Sequence, residues 1–385
     1  MTLPDSGYRR LFFLLCASCV LATIVFGVVA ARRSRPSTGM GGSGLPTAIS
    51  AQPEPTQLSI SPSQAPGAAA TLSGIKNPQE IDKPVAEVPP PSKPAGRLVY
   101  FRTNALGDNY GKLTVAPFDA LDQPRYSAEL SCDRVHFAAG RGVCLASDRG
   151  VFTTYYAVMF DEHLRPGRPV QLNGIPSRAR VSPTGRFAAI TVFLSGQSYV
   201  SLNFSTQTTI VDIARGEVLA DLESFSVTRD GAVFQSPDFN FWGVTFAKDE
   251  NRFYATLWSK GKTYLVECNL AKRTARVIHE GVECPSLSPD NTRIVFKKRV
   301  GSSGIVWRIH LLDLKTLTEI ALSETRSVDD QMEWLDNEQV LYALSENEKG
   351  SSASTDIWVL PVSPEGTPRV LLRGAFSPAV VAAKL

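Results

Sequence analysis

The chain has 385 residues, 20% of them charged, and a formal net charge of +3. So small an imbalance gives no argument for nucleic-acid binding, which draws on a large basic surface. The length admits two average domains or one larger all-β domain, and composition divides it into three zones.

Residues 1–10 form a short tail. From Leu11 to Ala31 there is no charged residue in 21 positions, and twelve of them are Leu, Ile, Val or Phe. A helix of that length spans roughly 31 Å, close to a bilayer core of ~30 Å. At about −0.3 to −0.6 kcal/mol each, the twelve favour insertion by roughly 4–7 kcal/mol. The segment 11–31 therefore reads as a single transmembrane signal anchor. A cleaved signal peptide is the rival, with Val28-Val29-Ala30 as its cleavage site. However, its apolar core would be unusually long, and Arg32, Arg33 and Arg35 follow at once. Arginines flank both ends, and the count slightly favours a cytoplasmic far side. Long domains translocate largely regardless of such charges.

Residues 32–96 read as a disordered Pro/Ser/Gly-rich linker. Between Pro36 and Gly96 there are 12 prolines and no Phe, Trp or Tyr, a composition that cannot build a core.

All five Trp fall after residue 97, so 97–385 is the expected folded domain. Val, Ile, Phe, Tyr and Thr dominate short runs bounded by turns, and no stretch sustains a 3.6-residue period with helix caps. Two features recur. One is a tight turn followed by a strand: Ser288-Pro289-Asp290-Asn291-Thr292-Arg293-Ile294-Val295-Phe296, with copies at Ser182–Phe187 and Ala247–Phe253 and degenerate ones at Leu335–Val340 and Ala138–Val143. Pro presets φ for such a turn, and Ser can bond the backbone ahead. The other is an apolar strand that runs into a polar turn, clearest at Ile305–Thr316, with counterparts at Thr209–Ile213, Tyr264–Leu270 and Asp356–Val362. Anchors at Phe118, Phe160, Ile213, Leu270, Leu314 and Val362 are spaced by 42, 53, 57, 44 and 48 residues. Each interval holds one four-stranded blade, so six blades are expected. The extra length is placed in loops around 194–208 and 228–242. The last residues, Ala375–Val381, read as a first strand without a blade, and the first blade lacks one. Ring closure solves both problems by removing an open edge.

These runs resemble the six-bladed β-propeller family typified by the TolB C-terminal domain, whose repeat pairs a Ser-Pro-Asp-Gly turn with a downstream Ile-(Tyr/Trp)-x-x-Asp-Leu run. Ser288–Phe296 with Trp307–Leu314 match best, and Asn291 stands where the family often has Gly. The resemblance covers roughly 97–385. It implies an all-β six-bladed β-propeller and protein or peptide recognition across one ring face, with the ring acting as a monomer.

No catalytic constellation stands out, and no cofactor is expected. The four His are scattered without metal-motif spacing, and there is no G-x-S-x-G elbow. Asp329-Asp330 reads either as a ring-centre cation site or as an exposed acidic pair. Lys297-Lys298-Arg299 reads as a solvated strand end or an anion site. Cys132 and Cys144 are 12 apart, and Cys268 and Cys284 are 16 apart. Each pair suits a disulfide in an oxidising compartment, and buried free thiols are the alternative. Phe239, Phe241 and Trp242, in the second long insertion, are candidate partner-binding residues. The alternative is that they fill the core of blade four. Two functions remain open: a membrane-anchored, extracytoplasmic, non-catalytic binding module, or a propeller enzyme with a metal at the channel mouth.

Overall fold

A computed structural model describes residues 96–382 apart from 197–198, 200–203, 302–304 and 346–353. The expected tail, membrane helix and linker over 1–95 lie outside the described residues. Among the described residues no helix is long and apolar enough to cross a membrane.

The described residues form 26 strands in six sheets. Blade one combines β1 (Arg97–Thr103), β2 (Lys112–Pro117) and β3 (Arg125–Ser131) with the last strand, β26 (Ala375–Ala382). Blade two is β4 (Arg134–Ala138), β5 (Arg141–Arg149), β6 (Thr153–Asp161) and β7 (Pro166–Leu172). Blade three is β8 (Ile175–Val181), β9 (Phe187–Ser195), β10 (Ser205–Asp212) and β11 (Glu217–Asp221). Blade four has β14 (Asn240–Phe246), β15 (Arg252–Ser259), β16 (Lys262–Asn269) and β17 (Thr274–Glu280), and its outer edge carries β12 (Ser226–Arg229) and β13 (Ala232–Phe234). Blade five is β18 (Glu283–Leu287), β19 (Arg293–Val300), β20 (Val306–Asp313) and β21 (Glu319–Ala321). Blade six is β22 (Glu333–Trp334), β23 (Gln339–Leu344), β24 (Asp356–Pro361) and β25 (Arg369–Leu372).

The six expected anchors all fall within one residue of the end of a third strand. Each of the five turn copies joins the first and second strands of blades two to six. Blade one has no copy because its first strand arrives from the far end of the chain. That strand closes the ring: β26 pairs antiparallel with β1, with Val99 opposite Val380 and Tyr100 opposite Ala379.

The insertion placed in a loop over 228–242 is a correction. It is largely ordered as a hairpin, β12–β13, whose first strand pairs parallel with β17 and widens blade four to six strands. Likewise 205–208 belongs to β10 rather than to a loop.

Alternation along each strand sends successive side chains toward the two neighbouring blades. In β1, Val99 and Phe101 pack toward blade six and Tyr100 toward blade two. The same logic gives one apolar cluster at each of the six blade junctions. Tyr100 stacks on Phe137 with centroids 3.9 Å apart. Beside them, Gly142 leaves the space that Phe160 fills, since a Cβ there would lie 2.1 Å from the Phe160 ring.

Candidate functional site

Within a blade the first and third strands run the same way. The second-to-third connections and the passages to the next blade therefore emerge together on one face. Among the described residues, that loop face carries 104–111, 150–152, 260–261 and the ends of the longer connections at 196, 204, 301, 305, 345 and 354–355. The opposite face carries the tight turns. Leu106 is 79% exposed, Val151 96% and Phe152 83%, and all three sit in loop-face connections of blades one and two. The strands leading to the Val151–Phe152 tip contribute to a cleft of about 330 Å³, lined by Asp133, Arg149, Thr153, Tyr155, Ile175 and Pro176, which the two tip residues themselves do not line. Arg149 lies 3.4 Å from Asp133, which also accepts a hydrogen bond from Ser147. The sequence held a signal that was passed over: two large apolar residues at a hairpin tip, where polar residues are the rule.

The axis of the ring is bounded by the innermost strands β26, β4, β8, β14, β18 and β22. Polar and charged side chains from four of these strands meet those of β19 and of the passage into β22. Arg134 pairs with Asp330 at 3.3 Å and Arg178 with Asp329 at 3.2 Å. Arg180 pairs with Glu333, Lys297 with Asp329 and Arg299 with Glu283. Lys297 also lies 3.9 Å from Glu283, with both side chains fully buried. Burial alone would raise the pKa of Asp329 and Glu333. Lys297 and Arg178 instead hold Asp329 at about 2, and Arg180 and His136 hold Glu333 at about 2. His136 accepts from the Val181 N–H at Nδ1, 3.0 Å, which assigns its proton to Nε2, 3.4 Å from Glu333. Burial holds its pKa below 6.5, so the ring is neutral. On β26, the Ser377 hydroxyl accepts from the Val135 N–H at 3.1 Å and donates to its carbonyl at 2.9 Å, locking the closing strand to β4.

Toward the loop face the axis meets an aromatic cluster. Tyr199 lies 4.8 Å from the Trp242 ring and 4.8 Å from Phe193, and its hydroxyl is 2.5 Å from that of Ser177. The Lys297 ammonium sits 4.2 Å from the Trp307 ring and 5.0 Å from Tyr199, a cation–π arrangement that partly replaces its lost hydration. Gly243 is required where β14 passes β18, since its φ is 65° and a Cβ would lie 2.6 Å from the Cys284 Cα.

Several sequence expectations change here. Asp330 is buried and Asp329 keeps a 40% exposed side chain, so the pair is exposed on one side only, and guanidinium and ammonium groups already engage both carboxylates. Lys297 is no solvated strand end, and the partly exposed Lys298 pairs at 2.7 Å with the mostly buried Glu319. Phe241 and Trp242 have no exposed surface. They lie on β14, the innermost strand of blade four, with Phe241 in the junction with blade three and Trp242 in the aromatic cluster. Phe239 packs behind them, 5.1 Å from Phe234 and 6.2 Å from Phe241. They fill the blade rather than face a partner. Cys132 and Cys144 are joined by a disulfide. Cys268 and Cys284 are free and buried, one on the third strand of blade four and the other on the innermost strand of blade five. The arginines of β8 were missed, since Ser177-Arg178-Ala179-Arg180 reads as an ordinary alternating strand with a solvent side. Among the described residues no group of three or more His, Cys, Asp or Glu could hold a metal ion.

Six radial sheets, each with four antiparallel strands at its core and closed into a ring by one shared strand, around a charged axis and under a loop-bearing face, define a six-bladed β-propeller. Its fold is TolB-like. The chain is similar to the crystal structure of TolB from Acinetobacter baumannii, with 18% identity and a TM-score of 0.52 over 75% of this chain and 67% of that one. It is also similar to a putative TolB from Agrobacterium tumefaciens, with 9% identity and a TM-score of 0.46 over 72% and 89%. A chain of a nidogen/laminin complex matches with 10% identity and a TM-score of 0.50 over 75% and 100%. No protein-family model and no curated protein matches the sequence.

Proposed function

We propose that the ring is a non-catalytic protein-binding module that docks a protein or peptide on its loop face, anchored to a membrane by residues 11–31 and displayed outside the cytoplasm. The observation that carries the reading is the Val151–Phe152 tip, almost fully exposed beside a cleft of about 330 Å³. Large apolar side chains held in water at a rigid hairpin mark interaction sites, and the cleft is large enough for a partner's side chains. The TolB-like fold and the nidogen/laminin chain support a protein partner. The Cys132–Cys144 bond supports an oxidising compartment. The metal-enzyme alternative has less support, because the axial carboxylates are each engaged by a cation and the local charge repels a metal ion.

The test is proximity crosslinking in native membranes, comparing the natural chain with the double variant Val151→Ser, Phe152→Ser. The expected result is a fall of about tenfold or more in the yield of specific crosslinked partners, with an unchanged melting temperature. An identical crosslinking pattern from both chains defeats the loop-face reading.

A further inference from the structure

At the centre of the ring is a cavity of about 20 Å³, walled by Arg134, His136, Arg178, Arg180, Asp330 and Ser377. We propose that it is a binding site for one small monatomic anion of the size of chloride or bromide. The volume is enough for a single water-sized occupant, for which about 10–15 Å³ is needed, and not for a polyatomic ion.

Charge makes the first argument. The axial ion pairs fall into three groups, Arg134–Asp330, Arg180–Glu333 and a chain of Arg178, Asp329, Lys297, Glu283 and Arg299, which together hold five cations against four carboxylates. The neutral His136 adds nothing. One positive charge is left without a counter-charge inside the ring, where removing ions from water is expensive. In the cavity wall, burial first and then the neighbouring Arg178 lower the pKa of Arg134 to about 10.

The second argument is hydrogen bonding. The Nε–H groups of Arg178 and Arg180 are buried without a partner, and both residues are in the cavity wall. Their terminal nitrogens are already committed: Arg178 to the Ser177 carbonyl and Asp329, Arg180 to Glu333 and the Met332 carbonyl. Asp330 is the wall's one carboxylate. It is engaged by Arg134 and by the Ala343 N–H at 2.9 Å. What is unsatisfied at the wall is therefore donor capacity together with positive charge. A halide accepts from every direction and cancels the excess. A water satisfies the donors only by finding acceptors for its own two hydrogens, and it leaves the charge standing.

The site is tested on the full chain in two ways. Thermal unfolding is followed while sodium chloride or sodium bromide replaces sodium sulfate at constant ionic strength. A site gives a melting temperature that rises with halide in the low millimolar range and then saturates, as ligand linkage requires. General salt exclusion favours sulfate instead and does not saturate. Crystals grown in sodium bromide are then examined for anomalous difference density, with one peak expected in the cavity beside Arg178 and Arg180. A cavity without a bromide peak, or a melting temperature that does not rise and saturate as halide replaces sulfate, overturns the proposal.

Discussion

Single charges at the axis set how this ring responds to acid. Glu333 is almost fully buried, and its pKa of about 2 lies below the ordinary 4.5. A carboxylate depressed in the folded state stabilises it above the unfolded pKa, and that contribution disappears as the pH falls through the folded value. For Glu333 it amounts to about 3 kcal/mol, lost between roughly pH 4.5 and 2. Asp329 shifts the same way, but its side chain is 40% exposed, so solvent screening makes its share smaller. His136, held neutral by burial, loses its contribution first, from about pH 6.5 downward. Urea midpoints measured at pH 7, 4.5 and 3 are therefore expected to fall modestly over the first interval and steeply over the second. A midpoint flat down to pH 3 contradicts the axial ion-pair assignment. Only Asp329 stood out in the sequence, as half of an acidic pair; Glu333 and His136 did not, because a charged or polar side chain in a short strand looks the same whether it faces water or the middle of a ring.

Turns and strands were far more legible, since their signals are local. The copies beginning at Ser182, Ala247 and Ser288 place Gly185, Glu250 and Asn291 three residues on, and all three have positive φ, at 75°, 57° and 62°. Ser288 holds its turn by accepting from the Arg293 N–H at 3.0 Å, as Ser182 does from the Phe187 N–H at 3.0 Å. Asn tolerates this left-handed conformation where most residues with a Cβ do not. Asn291→Ala is expected to cost about 1 kcal/mol, and Asn291→Gly to stay within about 0.5 kcal/mol of the natural chain. Equal losses from both variants in chemical denaturation would mean that backbone strain is not what the position selects against. The β12–β13 hairpin was illegible by contrast, because β12 pairs with β17 and Ser226 finds its partner at Thr274. Nothing local encodes a parallel neighbour so far along the chain. The aromatic run at 239–242 misled for a related reason: an innermost strand and an exposed binding loop are equally rich in Phe and Trp, and only the closing of the ring decides between them.

For the molecule as a whole, blade number and ring closure were readable because a repeat writes the architecture several times over, while the Val151–Phe152 tip and the axial cavity depend on assembly. Closure carries its own prediction. Removing residues 375–385 takes away Ala375 and Ala379, both fully buried, and the Ser377 bonds to Val135. It leaves β1 as a bare edge. The truncated chain is expected to lose its cooperative melting transition and to self-associate in size-exclusion chromatography; a sharp, monomeric transition would show that the last strand is dispensable. The shared strand also has a bearing on biosynthesis. A ribosome delivers β1 nearly three hundred residues before its partner β26, so the earliest sheet stays unfinished, with sticky backbone groups bare, while the other five blades are made. Chaperone demand should therefore stay high until β26 has been made, and fall abruptly once that strand leaves the exit tunnel.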